Sequence, residues 1–192
     1  MNKYKDFVVF YLTWIVLTVG AYVSIPNGIE TLGLEGSKVL QGEFWRLFIF
    51  PFIHLSNLHL IENLAVLFVL IFIGIQLEIK LRDFLGIFIF SNFLVGILGG
   101  VIWPYQIFVG SSIGLFALFG ALAMKAKAYL SPKWSISAFL VLMGLNVAYK
   151  LYSGESVIQE VYHSAGLLVG VGVVVRGHIM QSVNSQKKKK KS

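Results

Sequence analysis

The sequence predicts an all-α fold, a polytopic membrane helix bundle of six transmembrane helices with a long interfacial loop between the first and second. Three observations carry that expectation. Of the 192 residues, 57% are hydrophobic and 13% charged, whereas a soluble domain carries roughly 25% charge. Mean hydropathy is +0.78, so lipid must be part of the solvent. Apolar stretches long enough to cross about 30 Å of hydrocarbon recur near residues 7–25, 58–77, 84–103, 108–124, 134–152 and 158–176.

The first stretch follows a basic start and has no small-residue cleavage site behind it, so a retained span is expected rather than a cleaved signal peptide. The connection from Pro26 to Asn57 is the longest. It holds FWRLFIFPFIH, too short to span and broken by Pro51. That segment is expected in the outer interface with Trp45 and Arg46 at headgroup depth, as an anchor, a scaffold or a lid. The fifth stretch is the weakest, interrupted by Asn146 and Lys150.

Charge then orients the spans. Lys3 and Lys5, Lys80 and Arg82, Lys125, Lys127 and Lys133, and Arg176 with Lys187 to Lys191 fall on one side, thirteen of the sixteen basic residues. Only Lys38, Arg46 and Lys150 fall on the other. The positive-inside rule puts both termini in the cytosol of a multi-pass protein, with the cell membrane the expected site. The net charge of +7 is thus a topology signal and not a nucleic-acid footprint. Residues 1–180 read as one membrane domain and 181–192 as a basic, disordered cytosolic tail that touches anionic lipid at most. Without a cysteine the chain has neither disulfides nor thiolate metal sites.

A strongly polar group inside a span is costly and points to function. The candidates are His59, Glu62, Asn63, Ser111, Ser112, Asn146, His163 and Ser164. Ser112 lies 13 residues before Lys125, and His163 lies 13 residues before Arg176. At 1.5 Å per residue both sit about 20 Å above the cytosolic boundary, on helices running the same way. Asn63 falls near the same layer, with His59 one turn above it. A serine, a histidine and a His/Asn pair at one depth are the parts of acyl transfer: nucleophile, base and oxyanion donors. No HExxH motif is present, and the only aspartates, Asp6 and Asp83, lie at the cytosolic edge. That excludes an aspartyl dyad and leaves no aspartate to orient His163, hence a Ser–His dyad and no triad. A metal centre built from His59, Glu62 and His163 is the remaining alternative; otherwise neither metal nor cofactor is expected. Gly110, Gly114 and Gly120 with Gly166 and Gly170 fit the small-xxx-small pattern that lets the serine and histidine helices approach.

Together these motifs resemble the rhomboid family over roughly residues 7–180. Glu43-Phe44-Trp45-Arg46 is similar to its Trp-Arg loop motif, and the stretch from His54 through His59 to Asn63 to its span 2 pattern. Gly110-Ser111-Ser112-Ile113-Gly114 through Gly120 resembles its serine motif, and His163-Ser-Ala-Gly166 through Gly170 its span 6 motif. The resemblance implies Ser112 as nucleophile, His163 as base, and an oxyanion site from the Ser112 N–H, His59 and Asn63. It implies structural support from Trp45, Arg46, His54, Gly110, Gly114, Phe116, Gly166 and Gly170. Span 5 would be a mobile helix beside which a substrate helix enters, and the WPYQIFVG stretch would dip into the membrane to deliver the serine. Two residues depart from the pattern: Ile113 stands where glycine is common, and Phe116 where tyrosine is frequent. The expected activity is serine endopeptidase cleavage in or near transmembrane segments of single-pass or multi-pass substrates in the bilayer. The rivals are a catalytically weak or inactive rhomboid-like protein that binds transmembrane helices, and a small transporter or channel. The transporter reading lacks a charged or inverted-repeat pathway.

Overall fold

The structure, a computed structural model, describes the backbone of residues 3–189 and the side chains of residues 4–177. Its elements in order are α1 (Lys3–Ser24), α2 (Gly28–Leu32), β1 (Leu34–Glu35), α3 (Gly36–Leu40), α4 (Arg46–Ile49), a 3₁₀ turn (Phe50–Phe52), α5 (Asn57–Gln76) and α6 (Leu81–Ile102). There follow β2 (Ile107–Phe108), α7 (Ser112–Lys125), a second 3₁₀ turn (Ala126–Ala128), α8 (Pro132–Tyr152) and α9 (Ile158–Lys189). This is a helical membrane bundle. The expected tail falls where side chains from 178 on, and the backbone of 190–192, lie outside the described residues.

Local chemistry sets the ends of α5. Ser56 caps its start, its hydroxyl accepting the His59 N–H at 3.2 Å, which satisfies one of the unpaired donors of the first turn. At the other end Glu78 adopts φ 55°. The Ile79 N–H then returns to the Gly74 carbonyl at 2.9 Å and the Glu78 N–H to the Ile75 carbonyl at 3.0 Å. That pair of bonds is a Schellman stop, here with glutamate in the left-handed position usually held by glycine. The chain can therefore reverse into α6 within a few residues.

Aromatic packing fastens α1 to the bundle. Phe7 meets Phe84 edge-on at 5.3 Å, and Trp14 packs on Phe52 at 4.4 Å and Phe88 at 4.9 Å. Such pairs add about 0.5–1.5 kcal/mol each beyond the area they bury. The outer faces stay apolar: Val16, Val23, Phe72, Val101 and Leu142 are all exposed, as a lipid-facing surface requires.

Among the described residues, five helices, within α1, α5, α6, α8 and α9, are long and apolar enough to cross a membrane. The fourth expected span differs. It is helical only from Ser112, and its 14 residues reach about 21 Å, short of the apolar layer. The missing length is the 103–111 segment, which descends as irregular chain and a two-residue strand. β2 pairs antiparallel with β1, Leu34 opposite Phe108 and Glu35 opposite Ile107. The Ser37 N–H donates to the Pro104 carbonyl at 2.8 Å. Irregular backbone at this depth survives because the long first connection surrounds it.

That connection is a scaffold, and Arg46 is turned into it and not out to its surface. Arg46 is buried at 4% exposure. Its Nη1 donates to the carbonyls of Gly33 at 2.6 Å and Glu30 at 3.1 Å, and its Nε to Glu43 at 2.6 Å. A guanidinium with several oriented donors can knit a loop together where a lysine could not. Trp45 and Phe48 remain exposed, so the apolar face expected of this segment is present without the arginine on it.

Candidate active site

α7 begins where the irregular 103–111 chain ends, packed among α5, α6 and α9. Gly110 sits at φ +93°, and a Cβ there would lie 2.7 Å from the His59 ring; only glycine meets both demands. Its N–H donates to the Phe50 carbonyl at 3.0 Å, tying the turn to the scaffold. The Ser111 hydroxyl donates to Asn63 Oδ1 at 3.1 Å, and the Gly114 N–H donates to Asn92 Oδ1 at 3.2 Å. Polar groups of α5 and α6 thus hold the first turn of α7 from two sides.

Ser112, the first residue of that turn, faces α9. Its Oγ lies 3.0 Å from His163 Nε2, a hydrogen bond between nucleophile-type and base-type groups. Close helix contact makes the distance attainable. A Cβ on Gly166 would meet the Ile113 carbonyl, one on Gly170 the Ala117 carbonyl, and one on Gly120 would lie 2.6 Å from the Leu167 carbonyl. The Phe116 ring lies 4.2 Å from the His163 imidazole at 36° and touches Phe139 of α8 at 5.2 Å. A phenyl stacked this way limits rotation of the imidazole without bonding to it.

His59 completes the group. Its Nδ1 accepts the Leu55 N–H at 3.3 Å, so the neutral ring carries its proton on Nε2. That Nε2 is buried and has no partner among the described residues. Asn63 donates to the His59 carbonyl at 2.8 Å, which uses one of its two amide protons. His59, Asn63, Ser112 and His163 line a common cavity of about 450 Å³. A second, of about 210 Å³, opens on the other side of Ser112 and His163. His54 stands behind His59, ring centroids 5.1 Å apart, with its Nδ1 3.2 Å from the Phe52 carbonyl. Burial, with His59 beside it, holds the His54 pKa down at about 4 against the opposing carbonyl. The loop imidazole is therefore neutral near pH 7.

A family model for the Rhomboid domain matches residues 41–178. The chain belongs to the rhomboid family. No curated protein matches it. The rhomboid match runs from the residue after α3 into α9, taking in Arg46 and Glu43, both cavities and every contact of Ser112 and His163. It leaves out α1, whose Phe7 and Trp14 brace the rhomboid core from outside.

Within the rhomboid bundle, several expected contacts fall elsewhere. Gly114 does not face the histidine helix; a Cβ there would meet Asn92 and Phe88 of α6. Gly110 precedes the helix and faces His59. Only Gly120, Gly166 and Gly170 form the α7–α9 seam. Ile113 turns its side chain into a cluster with Leu34, Phe50, Val95 and Tyr162, leaving its carbonyl for Gly166. Glu62 is exposed and lines the larger cavity. The Ser164 hydroxyl bonds back to the Glu160 carbonyl at 2.8 Å, the usual role of a helical serine.

Two residues escaped the sequence reading. Asn92 lies mid-span and buried, a polar group in an apolar stretch like Asn63. Glu160, 4% exposed, receives Asn146 at 2.8 Å and Lys150 at 2.9 Å. The residues that weaken the fifth span are thus its polar fastening to α9.

Proposed function

We propose that this rhomboid is an intramembrane serine endopeptidase that cleaves peptide bonds in or near transmembrane segments of membrane proteins. The observation that carries this reading is the 3.0 Å separation between Ser112 Oγ and His163 Nε2, at a helix start, in a cavity wide enough for a peptide. Ser112 attacks the substrate carbonyl while His163 Nε2 takes the hydroxyl proton. The oxyanion settles between the Ser112 N–H and the proton of His59 Nε2, with the uncommitted amide proton of Asn63 in support. His163 hands its proton to the departing amine; water then enters, releases the acyl group and restores the serine. Two open sides of the dyad suit an extended peptide, so a substrate helix must unwind locally before its carbonyl is reached.

The same reading sets the enzyme in the cell membrane with both termini cytosolic and the dyad toward the outer face, from which water reaches it. Its substrates are single-pass or multi-pass membrane proteins. A serine-directed fluorophosphonate tests the nucleophile. Wild-type protein should be labelled and should cleave a transmembrane reporter; Ser112→Ala should lose both, and His163→Ala should lose cleavage. Labelling undiminished in Ser112→Ala refutes the assignment. Binding of the reporter without labelling or cleavage of any kind would instead make this a helix-binding rhomboid.

A further inference from the structure

Two cavities share Ser112 and His163 and differ in chemistry. The smaller is lined by neutral polar groups, among them Gln106, Ser156 and Gln159, and by no carboxylate. The larger runs between α5, α7 and α8. Its shaft is apolar, with Val66 and Leu70 on one wall and the rings of Phe116, Phe119 and Phe139 on the other, and its single carboxylate is Glu62.

Glu62 has no ion pair or hydrogen bond among the described residues. Lys150, the basic residue of α8 near this end of the bundle, is bound to Glu160 at 2.9 Å and does not line the cavity. Of the lining groups only His59 and His163 can also carry charge, and neither is an anion. The larger cavity is therefore an apolar, aromatic shaft with one exposed carboxylate on its lining, which no lysine or arginine of the lining answers.

We propose that Glu62 determines specificity by selecting a basic side chain, Lys or Arg, in the substrate residue seated in this cavity beside Ser112. The inference rests on the endopeptidase reading and names what that site prefers. A lysine or arginine stem lies along apolar walls while its head reaches the carboxylate, and a cation over phenyl faces gains further attraction. An apolar side chain fills the shaft but covers the carboxylate without answering it, which costs desolvation. An acidic side chain brings a like charge up to the carboxylate, the repulsive half of selectivity.

The experiment uses the full chain in liposomes with transmembrane reporters carrying Lys, Arg, Leu or Glu in turn at each residue flanking the scissile bond. At one flanking position the Lys and Arg reporters should exceed the Leu reporter in kcat/KM by about tenfold, with the Glu reporter lowest. Glu62→Gln should bring Lys and Leu to near parity, and Glu62→Lys should reverse the order of Lys and Glu. No basic preference in the wild type, or one untouched by Glu62→Gln, overturns the proposal. The same reporters bound to Ser112→Ala, with and without Glu62→Gln, separate this idea from the hydrolase reading. Should the wild type cleave nothing, that reading falls and binding alone decides. A Lys preference removed by Glu62→Gln then supports the selector, and equal binding overturns it.

Discussion

His59 is the residue whose role turns on a single proton. The Leu55 amide occupies its Nδ1 at 3.3 Å, which leaves the Nε2–H as a donor with no partner among the described residues. A buried donor left without a partner costs the fold something, and it is most valuable where negative charge develops during the reaction. His59→Ala should therefore lower kcat by roughly 10²–10³-fold with a smaller change in KM, as for loss of one oxyanion donor. Reporter kinetics in micelles measure the split, and an unchanged kcat removes His59 from the oxyanion site. At this scale the sequence was informative about depth and silent about direction. Counting residues from Lys125 and Arg176 brought Ser112 and His163 to one level, and they meet. The rotation of each side chain about its helix axis was not legible: Gly114 faces α6, Ile113 faces Tyr162, and Arg46 points inward to two carbonyls. Those directions depend on partners far along the chain.

Among the elements, α7 and α8 are opposites. α7 is short, mostly buried, and locked to α9 through Gly120, Gly166 and Gly170; α8 buries no residue. Its polar fastening is Asn146 and Lys150 on Glu160, one turn before His163 on α9. Removing one partner of such a pair leaves the other charge covered and unanswered. Lys150→Met should therefore destabilise the protein by about 3 kcal/mol, and adding Glu160→Leu should recover most of that loss. Thermal unfolding of the single and double variants in micelles decides; losses that simply add would show that the two residues do not act as a pair. Hydropathy made five long helices readable because each needs only length and apolar content. The start of α7 was not, since Ile107 and Phe108 are as apolar as a span and become strand only through Leu34 and Glu35. That pairing crosses more than seventy residues, beyond what a local window senses.

For the whole molecule, orientation follows from where charge is tolerated. The ends of the bundle differ: Lys80 and Arg82, then Lys125 and Lys127, lie in the connections at one end, while the end near Ser112 carries the arginine knot and the Lys150–Glu160 pair, both internally neutralised. Exposed basic residues resist translocation, so the first end should stay in the cytosol and the dyad should open outward. The absence of cysteine makes this testable with single introduced thiols. Tyr129, in the connection after α7, and Tyr105, in the segment before β2, are each 83% exposed, so either tolerates replacement and leaves a thiol within reach. A membrane-impermeant maleimide added to intact cells should label Tyr105→Cys and should reach Tyr129→Cys only after the cells are opened. The reverse pattern would place the dyad on the cytosolic side, where the water that releases the acyl group would have to come from the cell interior and the substrate bond would lie near the inner leaflet.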